Sequence, residues 1–137
     1  MIGLSRWRRA LLDGFLQPAK AAEGLGIVDQ ALASSRDGLT RYYDSELYRL
    51  KGELLLLGDP SNQHAAEDCM RRALEVAGHQ GAKTFELRAA MSLGRLLRLQ
   101  GRRSEAHSLL SPIYGWFSEG FDTKELRAAG ALLAELR

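Results

Sequence analysis

Apolar residues recur along this chain every three or four positions, over stretches long enough for helices and separated by glycine, proline and short polar turns. In ELYRLKGELLLLG, residues 46–58, Leu47, Leu50, Leu54 and Leu57 share one face, and Gly58, Asp59 and Pro60 stop the pattern. The segment AAEDCMRRALEVAG, residues 65–78, repeats it with Ala66, Met70, Ala73, Leu74 and Ala77. ELRAAMSLGRLLRLQG, residues 86–101, and SEAHSLLSPIYGWF, residues 104–117, follow the same rule. Only three prolines occur and β-branched residues are few, so the pattern predicts an all-α protein.

The predicted helices pair, and the pairs repeat. Gly52 and Gly94 stand 42 residues apart in the first helix of successive pairs. In the second helix Ala66 matches Ala106, and Ala73 matches Ile113, each 40 residues on. A weaker earlier copy offers Leu11, Leu12 and Phe15, then Gly24, Val28 and Ala31. A near-constant period of this length predicts one domain over 1–137, built of antiparallel helical hairpins at about 4–38, 40–80 and 83–120. Mid-helix glycine costs about 1 kcal/mol relative to alanine. Its return at matched points predicts close approach of a neighbouring helix at both Gly52 and Gly94, with Ala66 and Ala106 at the crossings.

The most aromatic stretch is SPIYGWFSEGFDTKEL, residues 111–126. Ser104 is placed to cap a helix running to about Ser118, bent by Pro112 and closed by a left-handed Gly120. Asp122 to Glu125 reads as a capping box opening a last helix, so that a capping helix is expected over 122–136. Leu126, Ala129, either Leu132 or Leu133, and Leu136 would then cover the open face of the third hairpin. Tyr114, Trp116, Phe117 and Phe121 are expected to fill the corner beneath it, a ligand pocket being the alternative.

These marks resemble the tetratricopeptide repeat. That family carries an aromatic residue, Leu-Gly and a further aromatic on its first helix, then Ala with an aromatic four residues on. The third copy fits best, with Ala90, Leu93-Gly94, Leu97, Gly101, Ala106, Leu110 and Ile113. The second gives Tyr48, Lys51-Gly52, Leu55, Ala66, Met70 and Ala73. The first departs most, with Arg8 and Leu12 at the marker positions, and the period exceeds the usual repeat of about 34 residues. The stretches YDSELYRLKGELLL, FELRAAMSLGRLL and LLSPIYGWFSEGFDTKELRAAGALLAEL look like the C-terminal repeat region of large bacterial regulators. Those join a class III adenylate/guanylate cyclase or transcription-factor domain to a P-loop ATPase and then to helical repeats. The resemblance implies a short right-handed solenoid used as a regulatory scaffold, and it brings over neither cyclase nor ATPase activity.

Composition adds mainly exclusions. Nineteen basic against 17 acidic residues leave a net charge of +2, too little to imply nucleic acid, although 15 of the 19 are arginine. Cys69 is alone, so no internal disulfide forms, and its place next to Met70 suits a small apolar contact. His64, His79 and His107 have no metal-ligand spacing, and Gly24-Leu-Gly26 lacks the lysine of a phosphate loop. No apolar run approaches a membrane span. A cytoplasmic, non-catalytic protein with no cofactor or metal is expected.

Function is then expected on the surface. The first helix of each hairpin would present Arg6, Arg9 and Asp13, then Glu46, Arg49 and Glu53, then Arg88, Arg95 and Arg98. Arg49 and Glu53, four apart, are expected to pair, which leaves the third copy's arginines short of acidic neighbours. Arg49, Glu53, Arg88, Arg95 and Arg98 are accordingly the candidate concave face for an acidic protein or peptide partner. An ordinary solvated charged face accounts for the same residues. Nucleic-acid binding through the arginines is the second reading, and an enzyme the third. The apolar end near Trp7, Leu11 and Phe15 predicts a homodimer, and light scattering that finds a monomer at high concentration refutes it.

Overall fold

A computed structural model of the chain describes residues 20–34 and 41–137. Among these it contains six helices and no strand: α1 (Ala21–Ala33), α2 (Asp44–Gly58), α3 (Gln63–Gln80), α4 (Lys83–Leu99), α5 (Arg103–Gly115) and α6 (Lys124–Leu136). The leading helix expected around Leu11 and Phe15, with Arg6, Arg9, Asp13 and the self-association face at Trp7, lies outside the described residues.

Contacts along the helices give their directions. Lys51 of α2 binds Asp29 of α1 at 2.9 Å, while Gly58, further along α2, faces Ala21 near the start of α1. Those two helices are therefore antiparallel. In the same way Ser45 donates to the Ala73 carbonyl of α3 at 2.8 Å while Gly52 faces Ala66, so α2 and α3 are also antiparallel. Between alternate helices the numbers run together. Glu46 and Arg49 of α2 meet Arg88 and Ser92 of α4. Arg88, Gly94 and Arg98 of α4 meet Glu125, Leu132 and Glu135 of α6. Helices α2, α4 and α6 thus form one parallel layer in direct contact. The second layer holds α3 and α5, joined by the side-chain pairs Arg71–Glu105 and Arg102–Glu67.

The core lies between the layers. Leu47, Leu50 and Leu54 of α2 close on Val28 of α1. A larger cluster runs from Ala66 and Met70 through Leu87, Leu93 and Leu97 to Leu110, Leu126 and Leu133. Short turns with suitable chemistry set each reversal. Asp59 is extended, as the residue before Pro60 must be, and its carboxylate accepts from the Ser61 amide and hydroxyl. Gly81 and Gly101 both take the left-handed conformation, and the next residue's amide reaches back to Ala77 and Leu97 respectively.

Five expectations need correction. Helix α5 stops at Gly115, not near Ser118, and its capping position is Arg102, not Ser104. Pro112 removes one donor from the final turn, and the Trp116 and Phe117 amides fall back on carbonyls three residues behind. Gly120 is left-handed, but it opens the turn into α6: the Thr123 amide and hydroxyl both donate to its carbonyl. The cap of α6 is Thr123, whose hydroxyl accepts from the Leu126 amide at 3.4 Å. Glu125 is thereby released from the expected capping box and pairs with Arg88. The aromatic corner is only half filled. Phe117 and Tyr114 pack on the core, the latter against Gly130, whereas Trp116 and Phe121 stay 59% and 44% exposed.

The two marker glycines also differ. A Cβ on Gly52 would lie 3.0 Å from both the Ala66 carbonyl oxygen and Met70 Cγ. At Gly94 its only near neighbour would be Leu132 Cδ2 at 3.7 Å, and that atom comes from α6, not from the Ala106 crossing. Overpacking costs about 1–3 kcal/mol, more than the roughly 1 kcal/mol of helix propensity that alanine returns. Gly52→Ala should therefore lower unfolding stability, while Gly94→Ala should raise it by about 0.5–1 kcal/mol. Urea denaturation of both variants checks this pair, and equal effects would show that the two glycines are equivalent after all.

Candidate functional site

Where α2, α4 and α6 lie side by side, their outward surfaces leave a groove of about 450 Å³. Its floor is α4, which presents Arg88, Met91, Ser92 and Arg95, the i, i+3, i+4, i+7 spacing of a single helix face. Arg49 of α2 forms one wall; Lys124, Glu125 and Ala128 of α6 form the other.

Three of the five expected residues, Arg49, Arg88 and Arg95, meet here. Glu53 and Arg98 do not line the groove. Arg49 does not pair with Glu53: its guanidinium donates to Glu46 at 2.8 Å and 3.4 Å and reaches Ser92 at 3.4 Å. Three residues back along the helix places Glu46 on Arg49's own face, and Glu46 is only 7% exposed, so its charge needs a partner. Arg98 pairs with Glu135 of α6. The expectation that the third copy's arginines are short of acids therefore fails for Arg88 and Arg98, because α6 supplies them. Arg95 alone of the three is exposed and has no ion pair or hydrogen bond among the described residues.

Charge along the groove alternates. Arg49, Glu46, Arg88 and Glu125 form a ladder across all three helices. Burial works against charge on Arg88, but its hydrogen bonds to Glu125 and the charge of Glu46 push its pKa up, so it stays a cation. Arg95 and Lys124 lie beside the ladder without partners among the described residues, so the groove carries surplus positive charge over the apolar surface of Met91 and Ala128. Met91 and Ser92 were legible as the same helical face as Arg88 and Arg95. Lys124, Glu125 and Ala128 were not, because they arrive from another helix, 29 or more residues further along the chain.

The other charged cluster lies on α3 and α5. Arg71 binds Glu67 and Glu105, and Arg102 binds the same two carboxylates, at 2.7–3.0 Å, forming a closed ring. It leaves no charge over for a ligand and ties one hairpin to the next. His64 and His79 are exposed, His107 is half-buried, and no group of three metal-ligating side chains occurs among the described residues. Cys69 is half-buried, and burial pushes its thiol pKa up, against the reactive thiolate form. No described helix is long and apolar enough to cross a membrane.

Comparison with known protein families, with curated proteins and with solved structures finds no match.

The ring has a pH consequence. Burial alone would raise the Glu67 pKa, but hydrogen bonds from Arg71 and Arg102 outweigh it and hold the carboxyl below its usual range. Hydrogen bonds from the same two arginines lower Glu105. A carboxyl lowered in the folded state adds stability that is full above its unfolded pKa of about 4.3 and disappears as pH falls through the lowered value. The denaturation midpoint should therefore fall steeply below about pH 4.3, and less steeply in Glu67→Gln. Identical pH profiles from 3 to 7 for the two proteins would count against the ring as a source of that stability.

Proposed function

We propose that this chain is a non-catalytic interaction module of the tetratricopeptide type, a short right-handed stack of hairpins that binds a segment of a protein partner in the groove between α2, α4 and α6. It serves as a regulatory scaffold of the kind found at the C-terminal end of multidomain bacterial regulators. The observation that carries this reading is the groove itself: an opening between α2, α4 and α6 in which Met91 and Ala128 lie beside two cations, Arg95 and Lys124, that lack partners among the described residues. Charge complementarity makes the partner segment acidic, with carboxylates at the cations and an apolar side chain on Met91 and Ala128. A protein segment suits the groove better than a nucleic acid. Glu46 and Glu125 stand among its cations, and the charges form a compact cluster with no extended basic track for a phosphate backbone among the described residues.

Selection of a random displayed-peptide library against the purified protein tests the reading, with Ala128→Trp as a variant whose indole fills the groove. Enriched peptides should bind the wild type and lose at least about tenfold in affinity on Ala128→Trp, equivalent to roughly 1.4 kcal/mol. No enrichment, or enrichment indifferent to Ala128→Trp, removes the groove as the site. Oligothymidylate binding that is sensitive to the same substitution assigns it to phosphate instead.

A further inference from the structure

Arg88 is bound at both of its edges by carboxylates of this chain, and the two are held very differently. Glu46 is almost fully buried, on α2, and receives Arg49 as well as Nη1 of Arg88 at 3.4 Å. Removing either arginine would leave Glu46 a buried charge with fewer donors, a costly state. Glu125 is more than one-third exposed, at the mouth of the groove, and Arg88 is its sole ion-pair partner among the described residues. Both Nε, at 2.8 Å, and Nη2 of Arg88 donate to one oxygen of Glu125, Oε1. The side-on edge of a guanidinium is shaped for two parallel hydrogen bonds to the two oxygens of a carboxylate. Glu125 uses that edge with one oxygen only.

We infer that Glu125 is an internal stand-in for the ligand: it occupies, from the last helix, the guanidinium edge that a partner's carboxylate engages on binding. This rests on the groove being a site for acidic segments, and it adds a determinant of affinity that belongs to this chain. The exchange is available because the ladder is anchored at its buried end and open at its exposed end. Arg88 keeps Glu46 throughout, so its position and charge are fixed before the ligand arrives. Glu125 swings to water, where a carboxylate is well solvated, and the incoming carboxylate takes Nε and Nη2 with both its oxygens. Helix α6 need not move, because Leu126, Ala129, Leu132, Leu133 and Leu136 hold it in the core independently of Glu125. Arg95 and Lys124 attract the acidic segment, and the Arg88–Glu125 pair sets how much of that attraction becomes affinity.

The probe is an acetylated, amidated nonapeptide of alternating Glu and Leu, titrated calorimetrically into the full chain. Glu125→Gln, which removes the competitor and keeps the side-chain shape, should bind it about two- to fivefold more tightly than the wild type, the range expected for an exposed ion pair. In Arg88→Lys the side-on edge is gone, so adding Glu125→Gln to it should bring little gain; the double-mutant cycle isolates the pair. The Arg88 Nε–H resonance, followed by nitrogen-15 NMR, should shift on peptide addition in the wild type, a readout that a purely structural ion pair would not give. Unchanged or weaker binding by Glu125→Gln, or an Arg88 resonance that stays put while peptide binds, overturns the inference. So does a peptide that binds neither protein. A matching Lys–Leu nonapeptide whose binding is abolished by Ala128→Trp would also sink it, while leaving the groove standing as a peptide site.

Discussion

Among the described residues, no helix buries its apolar surface alone. Helices of 13 to 18 residues are marginal in water, and here α2 to α5 each pack on the helices before and after them in the chain, with α2 and α4, and α4 and α6, in contact besides. Helix α4 shows this most clearly. Its nine buried residues include Leu87, Ala89, Leu93, Leu96 and Leu97, enough to wrap most of its circumference, because α3, α5, α2 and α6 all press on it. Mutual burial along a row of hairpins is the constraint from which the other features follow. It requires short turns so that neighbours stay in register, small residues where backbones close, and a last helix that is apolar on one side only.

Polar interactions then fix how the hairpins sit on one another. On the outer layer the Glu67, Arg71, Arg102 and Glu105 ring joins α3 to α5, which otherwise touch little. On the inner layer Glu46, Arg88 and Glu125 join α2, α4 and α6. Isolated exposed ion pairs contribute little, about 0–1 kcal/mol each, but alternating networks with a buried member have more leverage over register. The two layers divide the work. The outer ring is closed and neutral, so it acts within the fold. The inner ladder is open at Glu125 and flanked by Arg95 and Lys124, and this imbalance leaves surplus positive charge along the groove.

The glycines show how one sequence signal can have two structural causes. Gly52 sits where α2 and α3 come closest, with Ser45 two turns away donating to the Ala73 carbonyl across the same contact. That pair of small residues sets the separation of the second hairpin. Gly94 occupies the matched position of the third hairpin, yet α6 leaves room there for a methyl group. A glycine at matched points of α2 and α4 is a single sequence signal. Whether the space around it is tight depends on which helix happens to cover it.

Helical content, the break points at Gly58-Asp59-Pro60 and Gly101, and the buried faces of α2 to α6 were legible in the sequence, because each depends on residues within a turn or two of one another. Arg49, Arg88 and Arg95 could be placed on the outward faces of the first helices for the same reason. What the sequence could not supply was the partner of each charge. Arg88 and Arg98 looked unopposed until α6 laid Glu125 and Glu135 beside them, 37 residues further along the chain. The cap of α6 was misread by one residue, since Asp122 and Thr123 both suit the role and only packing of Leu126 into the core selects Thr123. Local propensity and periodicity are short-range and survive in a linear string. Charge pairing, exposure of Trp116 and the shape of a groove between three helices depend on distances across the stack, which exist only once the hairpins have docked.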